Sequence, residues 1–290
     1  MTDLVIQSQN LPTAAVDAFR VACPAQRLVR HVNAARLFGV GDDGQTAKVV
    51  AALATYWQCD AALVRTARRG ADFHALILDM DSTVITIECI DEVARLAGKG
   101  TQVSAITEAA MRGEITNYAE SLRRRVALLA GTEESVLERV RTERMQITSG
   151  AHALLAAARA NRWGTLLVSG GFTAFSEPVR QTLGIDASCA NELVTRDGCL
   201  TGEVRGPPED NGRIVDATGK ARALRRLCVT LQCGTDQAIA VGDGANDLEM
   251  MAAAGFSVAY CPKPIVRERA TYVLEHTGLD GLLNLLSDPW

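Results

Sequence analysis

Three short apolar segments, each followed at once by small and polar residues, constrain the fold of this 290-residue chain more than any other feature. With their polar ends, the segments are Phe73–Thr83, Gly164–Gly171 and Ala238–Gly244. Nearly continuous apolar runs suit strands that are buried on both faces of a parallel sheet. Further strands are predicted at 256–260 and 271–275, and helical patterns at 151–162, 173–183, 216–231, 246–254 and 279–286. The alternation predicts an α/β fold with a doubly wound, mostly parallel sheet, whose ligands bind beyond the carboxyl ends of its strands.

An unusually long connection separates the first two of these strands. It contains about 80 residues, far more than a single crossover helix needs. Its pattern predicts four helices, at 90–97, 101–111, 118–130 and 133–144. We therefore expect a helical cap, inserted at about residues 87–147, that acts as a lid over the strand ends. A hairpin with its turn at Asp197-Gly198 is predicted within 192–204.

Residues 1–72 are predicted to form a small N-terminal α+β region without catalytic motifs. A strand at Leu4–Gln7 and helices at Ala14–Cys23 and Gln45–Trp57 fit the pattern, whereas Gly39–Gln45 and Arg205–Gly212 read as loops. Such a region can be a degenerate regulatory module that binds an amino acid, or an appendage for dimerisation and packing, which we favour. The rest of the chain, residues 73–290, is predicted to be the catalytic domain.

Composition excludes several classes of function. A formal net charge of −4 argues against a general nucleic-acid-binding protein, which needs a basic surface. No apolar stretch reaches the ~18 residues that span a bilayer, and the N-terminus lacks the parts of a secretory signal, so we expect a cytoplasmic protein without membrane contact. The eight cysteines include no CxxC pair and no zinc-ligand spacing, which predicts buried free thiols. The expected assembly is a monomer or a homodimer.

The first polar cluster places two aspartates, Asp79 and Asp81, at the end of a predicted strand. Carboxylates at positions i and i+2 of a strand point to the same side, and like charges this close favour a cation and raise the pKa of one group. That arrangement suits a nucleophile beside a general acid or base. Asp-Ser-Thr is also a good helix-capping sequence, so the pair alone leaves both interpretations open.

Three later segments supply groups that complement the two aspartates. Gly242-Asp-Gly-Ala-Asn-Asp247 brings two more carboxylates to a strand end, and hard oxygen ligands of this kind suit Mg²⁺. Ser169-Gly-Gly171 offers a hydroxyl and backbone amides as a cradle for an anion. Lys220 can neutralise phosphate and carboxylate charge. Each segment also has an ordinary interpretation, as a glycine-rich turn, a capped helix start or a surface lysine.

The order of these segments resembles the haloacid-dehalogenase-like (HAD) phosphatases and, within them, the phosphoserine phosphatase family. The resemblance covers about residues 73–286: Asp79–Glu92 is close to the first motif, Leu122–Gly131 is similar to the lid helix, and Val168–Phe172 and Gly242–Leu248 match the remaining motifs. Met80 stands where an aromatic residue is common, and we expect it to point away from the site. The resemblance implies a HAD-like fold. It also implies hydrolysis of O-phospho-L-serine to L-serine and phosphate through an aspartyl phosphate, the last step of serine biosynthesis.

The resemblance also implies a role for each matched residue. Asp79 would be the nucleophile and Asp81 the general acid and base. Mg²⁺ would be held by Asp79, Asp243 and the backbone carbonyl of Asp81, with Asp247 in a supporting position. The residues that would bind the phosphate are Ser169, Gly170, Gly171, Lys220 and Asn246.

Selection of the substrate is assigned to the cap. Arg125 shares one helix face with three apolar residues, and a buried arginine needs a partner. Its planar guanidinium fits a carboxylate. The pattern alone allows two partners, an internal glutamate or the carboxylate of the substrate. The resemblance implies that Arg125 binds the substrate carboxylate and that Glu88 binds the ammonium, although helical spacing predicts that Glu88 is exposed. The three apolar residues are Leu122, Val126 and Leu129.

Two alternatives compete with this hypothesis. A related HAD-like phosphatase or phosphotransferase could act on another small phosphomonoester, such as phosphohomoserine, phosphothreonine or phosphocholine. A signalling receiver domain also carries a phosphorylated aspartate at a strand end. The second aspartate and the long inserted segment argue against the receiver domain.

Overall fold

The computed structural model describes residues 2–112 and 114–290, which form two β-sheets and the helices that pack on them. The first sheet is antiparallel, and its strands lie in the order β2-β3-β1-β4. Its elements are β1 (Thr2–Gln7), α1 (Thr13–Ala22), β2 (Arg27–Arg30), β3 (Ala34–Val40), α2 (Gly44–Trp57) and β4 (Asp60–Val64).

Both faces of the first sheet are covered. Because side chains alternate along a strand, Leu4 and Ile6 of β1 pack with the two helices, whereas Val5 points to the opposite face. Val5 and Val64 are fully buried there and join the same hydrophobic cluster as Leu282 of the C-terminal segment. The N-terminal sheet is therefore packed onto the rest of the protein.

The second sheet has seven strands in the order β11-β10-β9-β5-β6-β7-β8. All neighbours are parallel except β8, which pairs antiparallel with β7. This is the doubly wound, mostly parallel sheet that the sequence predicted. Its strands are β5 (Ala75–Asp79), β6 (Gly164–Phe172), β7 (Ala187–Arg196), β8 (Cys199–Arg205), β9 (Ala238–Gly242), β10 (Phe256–Tyr260) and β11 (Tyr272–Leu274).

The remaining helices fall into two groups. Four of them lie within residues 87–147, where the cap was expected: α3 (Cys89–Leu96), α4 (Gly100–Met111), α5 (Tyr118–Ala127) and α6 (Ser135–Glu143). The others are α7 (Ala151–Ala160), α8 (Thr173–Leu183), α9 (Ala217–Thr230), α10 (Leu248–Ala253), α11 (Pro264–Arg267) and α12 (Gly281–Leu285). In the described part of the chain, none of the helices combines the length and the apolar character that crossing a membrane requires.

Three details of the sequence prediction were incomplete or wrong. Strands β2, β3 and β4 were not predicted, and the proposed loop at Gly39–Gln45 instead contributes its first two residues to β3 and its last two to α2. All eight cysteines are free, as predicted, but Cys261 is exposed and Cys199 and Cys233 are half-buried. The buried Arg36 interrupts the apolar pattern of β3, which explains why that strand was missed.

Strand β5 lies at the centre of the larger sheet, between β6 and β9. The chain leaves β5 and returns first on one side and later on the other, so β5 marks the topological switch point of the sheet. In open α/β sheets, ligands bind outside the carboxyl ends of the strands at this point. Strand order therefore brings Asp79, Ser169 and Asp243 to one crevice.

Buried polar contacts attach the N-terminal sheet to the C-terminal segment. The Asp60 carboxylate accepts hydrogen bonds from the backbone amides of Glu275 and His276 at 2.8 and 3.1 Å, and from the Thr277 hydroxyl at 3.1 Å. Arg36 donates to the Leu286 carbonyl at 2.7 Å. Removing one partner would leave buried groups unpaired, at a cost of about 1–3 kcal/mol for each.

We predict that a variant that begins at Arg69 keeps turnover per folded molecule, because every predicted catalytic residue lies later in the chain. It should unfold at a lower temperature, since the truncation exposes the face of the C-terminal segment that Val5 and Val64 cover. Circular dichroism melting and phosphate release, normalised to the folded fraction, check both statements. Complete loss of activity in a truncated protein that is demonstrably folded would mean that the N-terminal region helps to build the site.

Candidate active site

A buried lysine between two carboxylates forms the centre of the site. Asp79 is the last residue of β5, and Lys220 lies in the first turn of α9, which the Asp216 side chain caps through the Gly219 amide at 2.8 Å. The Lys220 ammonium donates to Asp79 Oδ1 at 2.6 Å and to Asp247 Oδ1 at 2.7 Å. Burial alone would lower the pKa of Lys220, but the charges of Asp247 and Asp79 outweigh it and raise that pKa. The lysine therefore stays protonated in a fully buried position.

Three carboxylates at this centre form a group that could hold a cation. One oxygen of each of Asp79, Asp243 and Asp247 lies within 4.8 Å of the others, and all three residues are buried. Burial, followed by the charge of Asp247, raises the pKa of Asp79 well above its usual value, and burial raises the pKa of Asp243 to about 6. Since Lys220 neutralises only part of this charge, the group favours a hard divalent cation.

Asp81 is not a member of this carboxylate group and has partners of its own. Its Oδ1 accepts from the backbone amide of Cys89 at 2.8 Å, and its Oδ2 accepts from the Ser169 hydroxyl at 3.0 Å. The backbone is extended at Asp79 and at Asp81 and turns sharply only afterwards, with Ser82 at φ +56°, so the expectation that the two carboxylates point to the same side stays a prediction. Cys89 begins α3, so Asp81 accepts from the first amide of that helix, but it is not the local N-cap that the Asp-Ser-Thr sequence suggested.

The Ser169-Gly170-Gly171 segment follows the strand pairing of β6, at the same edge of the sheet. Ser169 is fully buried, and its hydroxyl accepts from the Gly171 amide at 2.8 Å. Side chains are excluded from both glycines: a Cβ on Gly170 would lie 2.1 Å from the Tyr118 hydroxyl, and one on Gly171 would lie 2.7 Å from Asp81 Oδ2. The glycines are therefore required by close approach of the cap and of Asp81.

Arg125 lies on the inner side of helix α5, as its spacing predicted. The apolar residues on the same face are buried, Arg123 and Arg124 are exposed, and Arg125 is half-buried. Its Nε donates to the Ser121 carbonyl at 3.4 Å, and no carboxylate of the described residues pairs with it. The internal glutamate that the pattern allowed as a partner is thus absent from the part of the chain that the structure describes.

Glu88 is not part of a helix face. It precedes α3 with extended backbone angles, and its carboxylate accepts from the Ser82 hydroxyl at 2.9 Å and from Lys263 at 3.5 Å. The spacing argument for an exposed helical position was therefore wrong, although the side chain is 42% exposed. Lys263 also lies 3.3 Å from Asp243 Oδ2, so it connects the cap to the acidic group.

The structure adds residues that sequence reasoning missed and leaves one predicted residue without a contact. Asn246 lies half-buried in the turn between Asp243 and Asp247, with no side-chain hydrogen bond to another described residue. Tyr118, Asn191 and Lys263 were not predicted. None of the three stands in a motif, and only the position of Tyr118 near the start of a predicted cap helix could have indicated it.

Comparison with known proteins identifies the class to which this site belongs. The family model for haloacid dehalogenase-like hydrolases matches residues 76–252, and the chain belongs to that family. A phosphoserine phosphatase of Albidiferax ferrireducens is 51% identical over 217 residues, which cover 75% of this chain and 91% of that protein. The crystal structure of a probable phosphoserine phosphatase from Vibrio cholerae, in its unliganded form, matches with a TM-score of 0.81 at 33% identity, covering 98% of this chain and 86% of that one.

A third comparison concerns a solved phosphoserine phosphatase described as a phospho-aspartyl intermediate analogue. It matches with a TM-score of 0.67 at 35% identity and covers 74% of this chain and all of that one. These relatives carry the name phosphoserine phosphatase, so the sequence resemblance to that family is confirmed.

Proposed function

We propose that this protein hydrolyses O-phospho-L-serine to L-serine and phosphate, as the last step of serine biosynthesis. The observation that carries the proposal is the pair formed at the centre of the sheet: Asp79 held by a buried Lys220, with Asp81 bonded to Ser169 beside it. Relatives with this name at about half identity support the same activity. Phosphate release from a panel of phosphomonoesters, with and without Mg²⁺, tests it directly.

The covalent step is assigned to Asp79. Lys220 engages its Oδ1, so Oδ2 attacks phosphorus, and the bond from phosphorus to the serine oxygen breaks. Asp81 donates a proton to the departing serine oxygen, and burial, which raises the pKa of Asp81, favours the protonated form that this step needs. Asp81 then takes a proton from water, which attacks phosphorus and breaks the bond to Asp79. Phosphate leaves, Asp79 is restored as a carboxylate, and Asp81 is restored in its protonated form.

Neutralisation of charge is the second requirement of phosphoryl transfer. We assign phosphate binding to the Gly170 amide, Lys220 and Asn246, while Ser169 and Gly171, whose protons are donated to Asp81 and to Ser169, shape the cradle. These groups come from three separate segments, the end of β6, the first turn of α9 and the turn after β9, and we expect them to orient the phosphate before the bond changes occur.

The donor set at the centre fits Mg²⁺. It consists only of carboxylate oxygens, which suit a hard cation that prefers oxygen ligands. We propose that Asp79, Asp243 and the backbone carbonyl of Asp81 hold the ion. Asp247 lies close enough to contribute directly, which the sequence treated as a supporting role. When bound, Mg²⁺ supplies positive charge that offsets the repulsion between the carboxylates and a phosphate dianion.

We expect EDTA to abolish turnover and Mg²⁺ to restore it, because the three buried carboxylates need a cation to accept an anionic substrate. Calcium should inhibit, since its larger and less regular coordination would misplace the attacking oxygen. A measurement independent of activity is the melting temperature, which Mg²⁺ should raise in the wild type but not in Asp243→Asn. Asp197→Asn, at an exposed hairpin turn, is the matched control and should keep the full shift. Undiminished activity in EDTA would contradict the metal assignment.

Specificity is assigned to the cap, where Arg125 binds the substrate carboxylate and Glu88 its ammonium. The half-buried Arg125 has no carboxylate partner among the described residues, which leaves its fork available for a ligand. The relatives do not favour phosphohomoserine or phosphothreonine as the substrate. The cytoplasmic location, the monomeric or homodimeric state, the lack of nucleic-acid and membrane contacts, and the domain boundary at residue 72 stay predictions.

A further inference from the structure

A continuous series of hydrogen bonds connects the cap to Asp81. The Tyr118 hydroxyl, at the start of cap helix α5, donates to the Gly170 carbonyl at 3.2 Å. At the other end of the same peptide unit, the Gly171 amide donates to the Ser169 hydroxyl at 2.8 Å. That hydroxyl in turn donates to Asp81 Oδ2 at 3.0 Å. We call Tyr118, the Gly170–Gly171 peptide, Ser169 and Asp81 the relay.

The Gly170 carbonyl accepts a second hydrogen bond, from a residue of the protein core. Asn191 is fully buried, donates to that carbonyl at 2.8 Å and accepts from the Val215 amide at 2.8 Å. This contact lies within the core, because Asn191 belongs to β7, and it involves no residue of the cap. The Tyr118 contact is the one that depends on the cap, because Tyr118 is the relay member that α5 carries.

We propose that Tyr118 is a positioning residue through which closure of the cap orients Asp81 for proton transfer to the leaving group. The inference rests on the proposed function, in which Asp81 is the general acid. A hydrogen bond to a peptide carbonyl polarises the amide at its other end, so each bond of the relay strengthens the next. The direction of the Ser169 hydroxyl, and with it that of Asp81, is therefore best fixed when Tyr118 is in contact.

The same helix carries the residue that would bind the substrate. Arg125 follows Tyr118 by seven positions, about two helical turns, and therefore lies on the same face of α5. Because Tyr118 already contacts Gly170, a substrate that engages Arg125 would hold α5 in this position and stabilise the Tyr118 contact. Recognition of the amino-acid end of the substrate is thereby coupled to the geometry of the acid.

The test uses Tyr118→Phe, which removes only the hydroxyl and keeps the ring. Its matched control is Tyr260→Phe, because the Tyr260 hydroxyl donates to a backbone carbonyl, that of Thr277, at 3.4 Å in a buried position outside the site. Two substrates without an amino-acid end isolate proton transfer. Benzyl phosphate has an alkoxide leaving group that needs a proton, whereas p-nitrophenyl phosphate has a stable phenolate that needs little help.

We expect Tyr118→Phe to lower kcat/KM for benzyl phosphate and phosphoserine about 3- to 10-fold, the range for one lost hydrogen bond. The value for p-nitrophenyl phosphate should change less than about 2-fold. Tyr260→Phe should leave all three unchanged. An equal fall for both test substrates would overturn the relay and make Tyr118 a residue of binding or closure, and no change for any substrate would also overturn it.

If the proposed function is wrong, the experiments give a different result from the one expected if only the relay is wrong. If the wild type does not hydrolyse phosphoserine, the substrate assignment is wrong, but the ratio for the two test substrates still measures the relay. If Asp81→Asn leaves the cleavage of benzyl phosphate intact, the acid assignment is wrong, whatever Tyr118→Phe does.

Discussion

Asp79→Asn abolishes turnover of phosphoserine, with a loss on the order of 10⁴-fold or more, as for the removal of other catalytic nucleophiles. The amide cannot form the phosphoryl-enzyme bond. No other described carboxylate occupies the position of Asp79 beside Lys220, so none can replace it as the nucleophile. The fold should survive, because the substitution removes one of several crowded negative charges while Lys220 keeps Asp247 at 2.7 Å. Phosphate release and circular dichroism measure the two effects.

A binding measurement distinguishes the nucleophile from a residue that only supports the site. Beryllium fluoride, which bonds to a carboxylate as a phosphoryl analogue, should raise the melting temperature of the wild type in the presence of Mg²⁺. It should have no effect on Asp79→Asn and should still bind to Asp81→Asn, whose nucleophile is intact. Near-native turnover of Asp79→Asn would refute the covalent mechanism.

Arg125→Ala should lower kcat/KM for phosphoserine about 10- to 150-fold, which corresponds to the 1.5–3 kcal/mol of a charge-assisted bidentate contact. Hydrolysis of p-nitrophenyl phosphate, which has no carboxylate, should fall less than about 2-fold. The neighbouring Arg124 provides the control, because it is 55% exposed and pairs with Glu120 on the outer face of the same helix. Arg124→Ala should change neither substrate.

The ratio of the two substrates decides what Arg125 does. If both fell by the same factor, Arg125 would be a ligand of phosphate or a structural residue, and the specificity assignment would revert to an unspecified small phosphomonoester. If phosphothreonine or phosphohomoserine lost as much as phosphoserine, Arg125 would bind the carboxylate without selecting the side chain.

The core of the site was predictable because its residues stand at the ends of strands with strong apolar patterns. Asp79, Ser169 and Asp243 each follow such a run, and the topology of a parallel sheet brings those ends together. Lys220 was located by its order among the motifs. The local sequence around it shows no distinctive pattern, because both of its carboxylate partners, Asp79 and Asp247, lie in other segments of the chain.

The contacts that sequence reasoning missed depend on tertiary placement. The contacts of Asp81 with the Cys89 amide and the Ser169 hydroxyl depend on the turn at Ser82 and on the neighbouring strand β6, which no local spacing indicates. Tyr118 and Lys263 reach the site from segments that are distant in sequence from their partners, so no local spacing indicates them. Strand β3 was not predicted because Arg36 is an unusual residue for a buried strand. Its hydrogen-bond partners, Asp3 and the Leu286 carbonyl, are distant in sequence.

The contacts of Asp60 and Arg36 with the C-terminal segment have a consequence for the order in which the protein matures on the ribosome. Asp60 precedes its hydrogen-bond donors at 275–277 by more than 200 residues in the sequence. Arg36 precedes Leu286, whose carbonyl accepts its hydrogen bond, by 250 residues. Until residues 275–286 have been synthesised, the N-terminal sheet has one uncovered apolar face, the Asp60 carboxylate lacks its donors, and Arg36 has Asp3 but not the Leu286 carbonyl. The sheet thus acts as a receptor for a segment that is synthesised more than 200 positions later, and synthesis of that segment is coupled to a late step of folding.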